Sequence, residues 1–128
     1  VHACTDITGF GLLGHALEMA RASAVTLEID AAAVPVLEDA LATAEAGIFP
    51  GGSRANLLFV SPDVQFADSL AEFMRLLLCD AQTGGGLLVS CHADALDEVM
   101  RVFAQNGASG ARVIGRLEAG PARVSVTL

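Results

Sequence analysis

The sequence predicts a layered domain of the α/β or α+β class. Short apolar or alternating runs are interleaved with segments whose apolar residues repeat at helical spacing, and glycine- and proline-bearing turns separate the two kinds. Length agrees: 128 residues suit a single domain able to bury roughly two-thirds of its unfolded surface.

The elements follow in order. After an opening loop, Leu12, Leu13, Ala16, Leu17 and Ala20 recur at helical spacing and predict a helix over Gly11–Ala22. Thr8 is the expected N-cap, and Glu18 with Arg21 the expected i,i+3 surface pair. Val25–Ile29 alternates apolar with polar residues, as a half-buried strand does. Val36–Ala46 reads as a second helix, with Pro35 near its first turn and Gly47 closing it. Ile48–Asn56 is rich in turn residues, Leu57–Val60 reads as a short strand, and Phe66–Leu78 as a helix broken over Cys79–Gly86. Leu87–Cys91 is the continuous apolar run of a buried strand. Ala93–Gln105 is an amphipathic helix closed by Asn106-Gly107, and Arg112–Leu117 and Arg123–Leu128 read as final strands.

Composition narrows the function. Hydrophobic residues make up 53% and aromatics 5%, with no Trp or Tyr, so Ala, Leu and Val must build the core. The net charge is −8, and all seven basic residues are Arg. No basic patch exists to bind nucleic acid or an anionic membrane. Cys4, Cys79 and Cys91 are too widely spaced for a disulfide framework or zinc site, and read as buried or semi-buried thiols of a reducing compartment. With no leader and no apolar run near the ~18 residues of a membrane span, the expectation is a soluble, cytoplasmic chain. A motif almost at Val1 suggests a piece of a longer protein.

That motif is the most chemical stretch: Cys4-Thr5-Asp6-Ile7-Thr8-Gly9-Phe10-Gly11-Leu12-Leu13-Gly14-His15-Ala16. A helix N-terminus leaves N–H groups unpaired and carries partial positive charge, so it attracts anions. A carboxylate just ahead repels a bare phosphate but suits a divalent cation bridging to one, so a functional Asp6 acts through Mg²⁺. Otherwise Asp6 caps the helix. Gly9, Gly11 and Gly14 allow close approach of a ligand or of another helix, and fit neither Walker A nor GxGxxG. Pro50-Gly51-Gly52 reads as an anion-binding or a plain structural turn. Thr83-Gly84-Gly85-Gly86 reads equally as a seat for phosphate or for a neighbouring strand. His15 faces the core, an interface or a ligand; His2 and His92 have no partner at metal-ligand spacing. ATP-dependent phosphoryl transfer relies on a Lys or Arg beside the phosphates and a positioned nucleophile. Without lysine, the chain does not read as a complete catalyst.

Thr5–His15 resembles the signature of the selenophosphate synthetase (selenide, water dikinase) family, within the aminoimidazole ribonucleotide synthetase-like superfamily. Pro50-Gly51-Gly52 with Asn56, and Leu78–Val89 with its Asp-x-Gln-Thr-x-Gly-Gly-Leu-Leu pattern, resemble two further family segments in the same order. Aminoimidazole ribonucleotide synthetase itself carries a different glycine-rich sequence in the first segment. Ala81 stands where the family usually has Pro, and Gly84 where it usually has Ser, which removes a hydroxyl donor.

The resemblance implies a mixed sheet with helices packed mainly on one face, residues 1–128 forming the C-terminal domain of a two-domain enzyme whose N-terminal ATP-binding domain is absent. It implies production of selenophosphate, AMP and phosphate from selenide, ATP and water with Mg²⁺, in a homodimer holding ATP mainly on the N-terminal domain. Asp6 would join N-terminal carboxylates on the metal, with Thr5, Thr8, Gly9 and Gly11 bordering the nucleotide; the nucleophilic Cys or selenocysteine and the catalytic Lys belong to the other half. The isolated chain is expected to be inactive. Alternatives are another ATP-using enzyme of the superfamily, of hydrogenase-maturation or thiamine-phosphate kinase type, and a non-catalytic interaction module.

Overall fold

The strongest helical period in the chain folds almost as read. Helix α1 (Gly11–Ser23) buries Leu13, Ala16, Leu17, Met19 and Ala20 along the stripe that a 3.6-residue repeat assigns. It ends where Ala24 turns left-handed at φ 53°, so that its amide bonds back to the Ala20 and Arg21 carbonyls. The computed structural model describes residues 1–128, with strand β1 (Ala3–Asp6) before this helix and β2 (Val25–Asp30) after it. There follow α2 (Glu38–Glu45), α3 (Gly51–Val60), β3 (Val64–Phe66), α4 (Glu72–Leu78), β4 (Leu87–Ser90), α5 (Leu96–Gln105), β5 (Gly115–Ala119) and β6 (Arg123–Thr127).

Four strands form a mixed sheet in the order β3-β6-β2-β5, with β6 parallel to both β3 and β2, and β5 antiparallel to β2. Its register sets Leu27 beside Val124 and Ile29 beside Val126, all four buried toward α1. The alternate residues Thr26, Glu28 and Ser125 are only half-buried on the other face. A slip of one residue would exchange the two faces, so this apolar patch fixes the pairing. The α+β class and the one-sided helical cover agree with expectation. A second sheet, the antiparallel β1–β4 ribbon, pairs Ala3 with Ser90 through Asp6 with Leu87. Two strands alone are marginal in water; Leu88, with Ile7 just beyond β1, anchors the ribbon into the same core as α1.

Several segments depart from expectation. From Gly51 on, the turn-rich Ile48–Asn56 and the supposed strand Leu57–Val60 are one helix, α3. Ser53, Asn56, Leu57 and Val60 already had helical spacing, and Pro50 immediately before the first turn starts a helix rather than breaking a chain. The helix expected over Phe66–Leu78 is shorter, because Val64 and Phe66 pair with Val124 and Val126 as β3 and leave only Glu72–Leu78 helical. Between them Arg75 donates to the Leu70 and Ala67 carbonyls, at 3.0 and 3.2 Å, and lies over the Phe66 ring. Leu87–Cys91 is not a fully buried strand: Leu87 is 58% exposed, since a two-stranded ribbon has one open face. Strand β5 begins at Gly115 rather than Arg112 and pairs with β2, not with β6, and α2 spans Glu38–Glu45 rather than Val36–Ala46. Glu18 and Arg21 do not pair, because His15 engages Glu18 and Asp63 engages Arg21. Cys4 is exposed, against the expectation of a buried or semi-buried thiol, because it sits on the open face of the ribbon.

Cys79, by contrast, is buried, and burial pushes its thiol up from 9.0 to about 12. The unfolded chain releases this proton near pH 9.0 while the folded chain keeps it to about 12. Stability from the buried thiol is therefore complete below pH 9 and declines as pH rises from 9 to 12. In the isolated 128-residue chain at pH 8, a maleimide should modify Cys4 rapidly and Cys79 only on unfolding, as peptide mapping by mass spectrometry would read. Cys79→Ala should flatten the loss of melting temperature above pH 9.

Candidate functional site

The three glycine-bearing segments, distant in sequence, meet in one hydrogen-bonded knot. Beyond Asp6 the ribbon continues through irregular backbone: the Ile7 amide donates to the Gly86 carbonyl at 2.9 Å, and the Gly85 amide to the Ile7 carbonyl at 3.0 Å. A Cβ on Gly85 would lie 2.4 Å from that carbonyl oxygen. Of the two readings of this glycine run, packing against a neighbouring backbone accounts for Gly85. The Thr8 carbonyl then accepts from both the Gly11 and Gln82 amides, each at 3.0 Å.

Gly11 opens α1 at φ +69°, and a Cβ there would lie 2.6 Å from the carbonyl carbon and oxygen of Cys79. No other residue satisfies both the backbone conformation and the space. Asn56, reaching from α3, uses its amide nitrogen to donate to the Gly9 carbonyl at 2.9 Å and to the Cys79 carbonyl at 3.0 Å. One helix turn earlier, the fully buried Ser53 hydroxyl donates to the Asp80 carboxylate at 2.5 Å. The Pro50-Gly51-Gly52 turn is thus the start of the helix that ties the other two segments together.

Thr8 is not the N-cap of α1. That position is Phe10, which makes no side-chain cap, and the Thr8 hydroxyl turns instead to His15, with Oγ1 3.0 Å from Nε2. His15 is buried, and its Nδ1 lies 3.0 Å from Glu18 Oε2. An ionised carboxylate only accepts, so Nδ1 donates to Glu18, and when the ring is neutral Nε2 accepts from Thr8. The Thr8 hydroxyl is then oriented, with its lone pairs left free.

Asp6 does not cap the helix either. Its carboxylate is exposed and makes no hydrogen bond, and it shares the outer face of the ribbon with its cross-strand partner Leu87. Beside it the Thr5 hydroxyl donates to the Asp6 carbonyl at 3.3 Å. The structure brings Thr8, Gly9 and Gly11 together in the knot and sets Thr5 and Asp6 at its rim. No group of three or more His, Cys, Asp or Glu side chains is arranged to hold a metal ion. The nearby carboxylates of Asp80 and Glu18 are engaged by Ser53 and His15, which leaves Asp6 as the unengaged hard-oxygen donor. Such a donor suits a Mg²⁺ that keeps phosphate and water oxygens around the rest of its shell.

Sequence reasoning had noticed His15 and Asn56 without finding their roles. The His15–Glu18 spacing of three along a helix was a usable signal for the relay. Nothing local marks Asn56 as a clamp on carbonyls 47 and 23 residues away. Asn56→Leu keeps the branching of the side chain but leaves both carbonyls without this donor. It should lower stability by about 1–3 kcal/mol, measured as a reduced urea midpoint with unchanged m value.

The chain matches the family model described as AIR synthase related protein, C-terminal domain, over residues 1–127. It is 50% identical over 126 residues to a Pseudomonas straminea protein named selenide, water dikinase, covering 98% of this chain and 35% of that protein. A protein of the same name from Paraburkholderia xenovorans (strain LB400) is 49% identical over 126 residues, covering 98% and 36%. One from Clostridioides difficile (strain 630) is 44% identical over 115 residues, covering 90% and 33%. The chain thus spans about a third of the length of these relatives. With the family model matched from Val1 to Thr127, and an α+β fold consistent with it, the chain belongs to the AIR synthase related protein C-terminal domain family.

Proposed function

We propose that this chain is the C-terminal domain of a selenide, water dikinase, an ATP-dependent phosphotransferase that makes selenophosphate, AMP and phosphate from selenide, ATP and water. The observation that carries the reading is identity of up to 50% over 98% of the chain with proteins of that name. The free carboxylate of Asp6 beside a glycine-rich helix start supports it.

In this reading the chain supplies one wall of the catalytic site. Asp6 would hold Mg²⁺ through its carboxylate, and that ion would supply charge screening at the phosphates and at the transferred phosphoryl group. With His15 neutral, Thr8 directs its proton to the ring and presents an acceptor, which suits water or an amide more than a phosphate oxygen. The backbone around Gly9 and Gly11, bonded to Asn56 and to the Thr8 carbonyl, shapes the edge of the nucleotide site. A net charge of −8, no lysine and only scattered arginines suit a division in which another domain holds the triphosphate. By the family resemblance, ATP, the catalytic Lys and the selenium-handling Cys or selenocysteine lie with an N-terminal domain of the same subunit, in a cytoplasmic homodimer. No helix here is long and apolar enough to cross a membrane.

Two outcomes test this. The 128-residue chain alone should release no AMP in the presence of ATP and selenide, and turnover by it would overturn the division of labour. In the full-length protein, Asp6→Asn should reduce Mg²⁺-dependent ATP consumption by at least about tenfold. As an exposed side chain without hydrogen bonds, it should change stability by less than about 0.5 kcal/mol. A large fall in melting temperature with normal activity would assign Asp6 a structural role instead.

A further inference from the structure

Helix α5 has an apolar stripe through Val99, Val102 and Phe103, with Asp97 and Arg101 away from it and Glu98 at its edge, yet none of its ten residues is buried. The outer face of the β1–β4 ribbon is equally uncovered: Val1 is 73% exposed and Leu87 58%. Between them runs an open groove of about 300 Å³, lined by Val1, Cys4, Leu87, Val89, Val102 and Phe103, with Glu98 its one charged neighbour. A contiguous apolar surface of this kind, flanked by polar residues, marks a docking site.

We infer that this groove is the seat of the chain segment immediately upstream of Val1, which covers it with an apolar face and brings the rest of the subunit beside Asp6. The inference rests on the reading of this chain as the C-terminal domain of a longer subunit. Three observations select this occupant. Val1 itself lines the groove, so a preceding residue enters it directly. The matched relatives are about three times as long, and the family is defined as a C-terminal domain, so there is ample chain upstream. A segment tethered at that point has an effective concentration in the millimolar range, ahead of any free partner. The groove is also continuous with the functional rim, since Leu87, in its wall, is the cross-strand partner of Asp6. Docking there would place upstream groups next to the carboxylate whose coordination this chain leaves incomplete.

Cys4, a wall residue, reports on the cover. In the full-length protein at pH 8, N-ethylmaleimide should modify Cys4 at least about 100-fold more slowly than in the same protein unfolded in urea, as peptide mapping would show. Leu87→Lys and, independently, Val102→Lys place a charge in the groove at exposed positions, and each should restore Cys4 labelling at least tenfold while circular dichroism shows the fold retained. Labelling of wild-type Cys4 at the unfolded rate would overturn the proposal. So would protection that disappears on dilution, the mark of a second copy, or protection that survives both lysine substitutions. The readout involves no catalysis, so a protected Cys4 in a protein without dikinase activity would uphold the groove assignment while rejecting the proposed reaction.

Discussion

The domain depends on the close approach of α1 to the end of α4, where Gly11 meets the Cys79 backbone with no room for a β-carbon. Two backbones that close leave carbonyls facing each other out of water, and a buried carbonyl without a donor is costly. Asn56 meets that requirement with a single amide, bonding Gly9 on one side and Cys79 on the other. The arrangement therefore needs α3 in place, and Ser53 holding Asp80 fixes α3 to the same loop. From this point outward the rest follows: Gln82 bonds Thr8, Gly85 and Gly86 bond Ile7, and the β1–β4 ribbon is carried with them. The glycine-rich segments look like ligand-binding loops in sequence, but much of their glycine content serves backbone-to-backbone packing.

This economy bears on the chemistry. The acidic groups around the knot are bonded within it, Asp80 by Ser53 and Glu18 by His15, while the exposed Asp6 makes no hydrogen bond of its own. A rigid rim with one free carboxylate is well suited to contribute to a metal site whose remaining ligands come from elsewhere, because fixed elements hold a ligand more sharply than a mobile loop does. The relay from Glu18 through His15 to Thr8 adds a second directed group to the same rim. It arises from helix geometry alone: His15 and Glu18 lie one turn apart, and the loop before α1 folds Thr8 back over them.

The two faces of the ribbon divide the domain's apolar surface. Leu88, with Ile7 beyond β1, enters the shared core, while Leu87 and Val89 look outward with Cys4. The large sheet shows the opposite balance, its outer face being polar and crossed by the Arg116–Glu28 and Arg116–Glu118 pairs. Val1 extends this outward apolar surface where it joins the ribbon, at 73% exposure.

Much was legible in the sequence because it is written locally. The 3.6-residue stripe of α1, the alternation in β2 and the amphipathic pattern of α5 each lie within a dozen or so neighbouring residues, and their apolar spacing determines the element. The candidate status of Asp6 was legible too, since a carboxylate ahead of a glycine-rich helix start has definite electrostatic meaning. What only the tertiary structure decided depends on partners far along the chain. Val64–Phe66 is a strand because β6, some sixty residues on, offers it an edge. Ile48–Val60 is mostly helix because Ser53, Asn56 and Val60 find their places against Asp80, Gly9 and the core. Thr8 abandons the cap because the His15 nitrogen is within reach of its hydroxyl once the loop has closed. Local spacing sets what a segment can become; which groups it finally satisfies is settled by the carbonyls and amides that folding brings beside it.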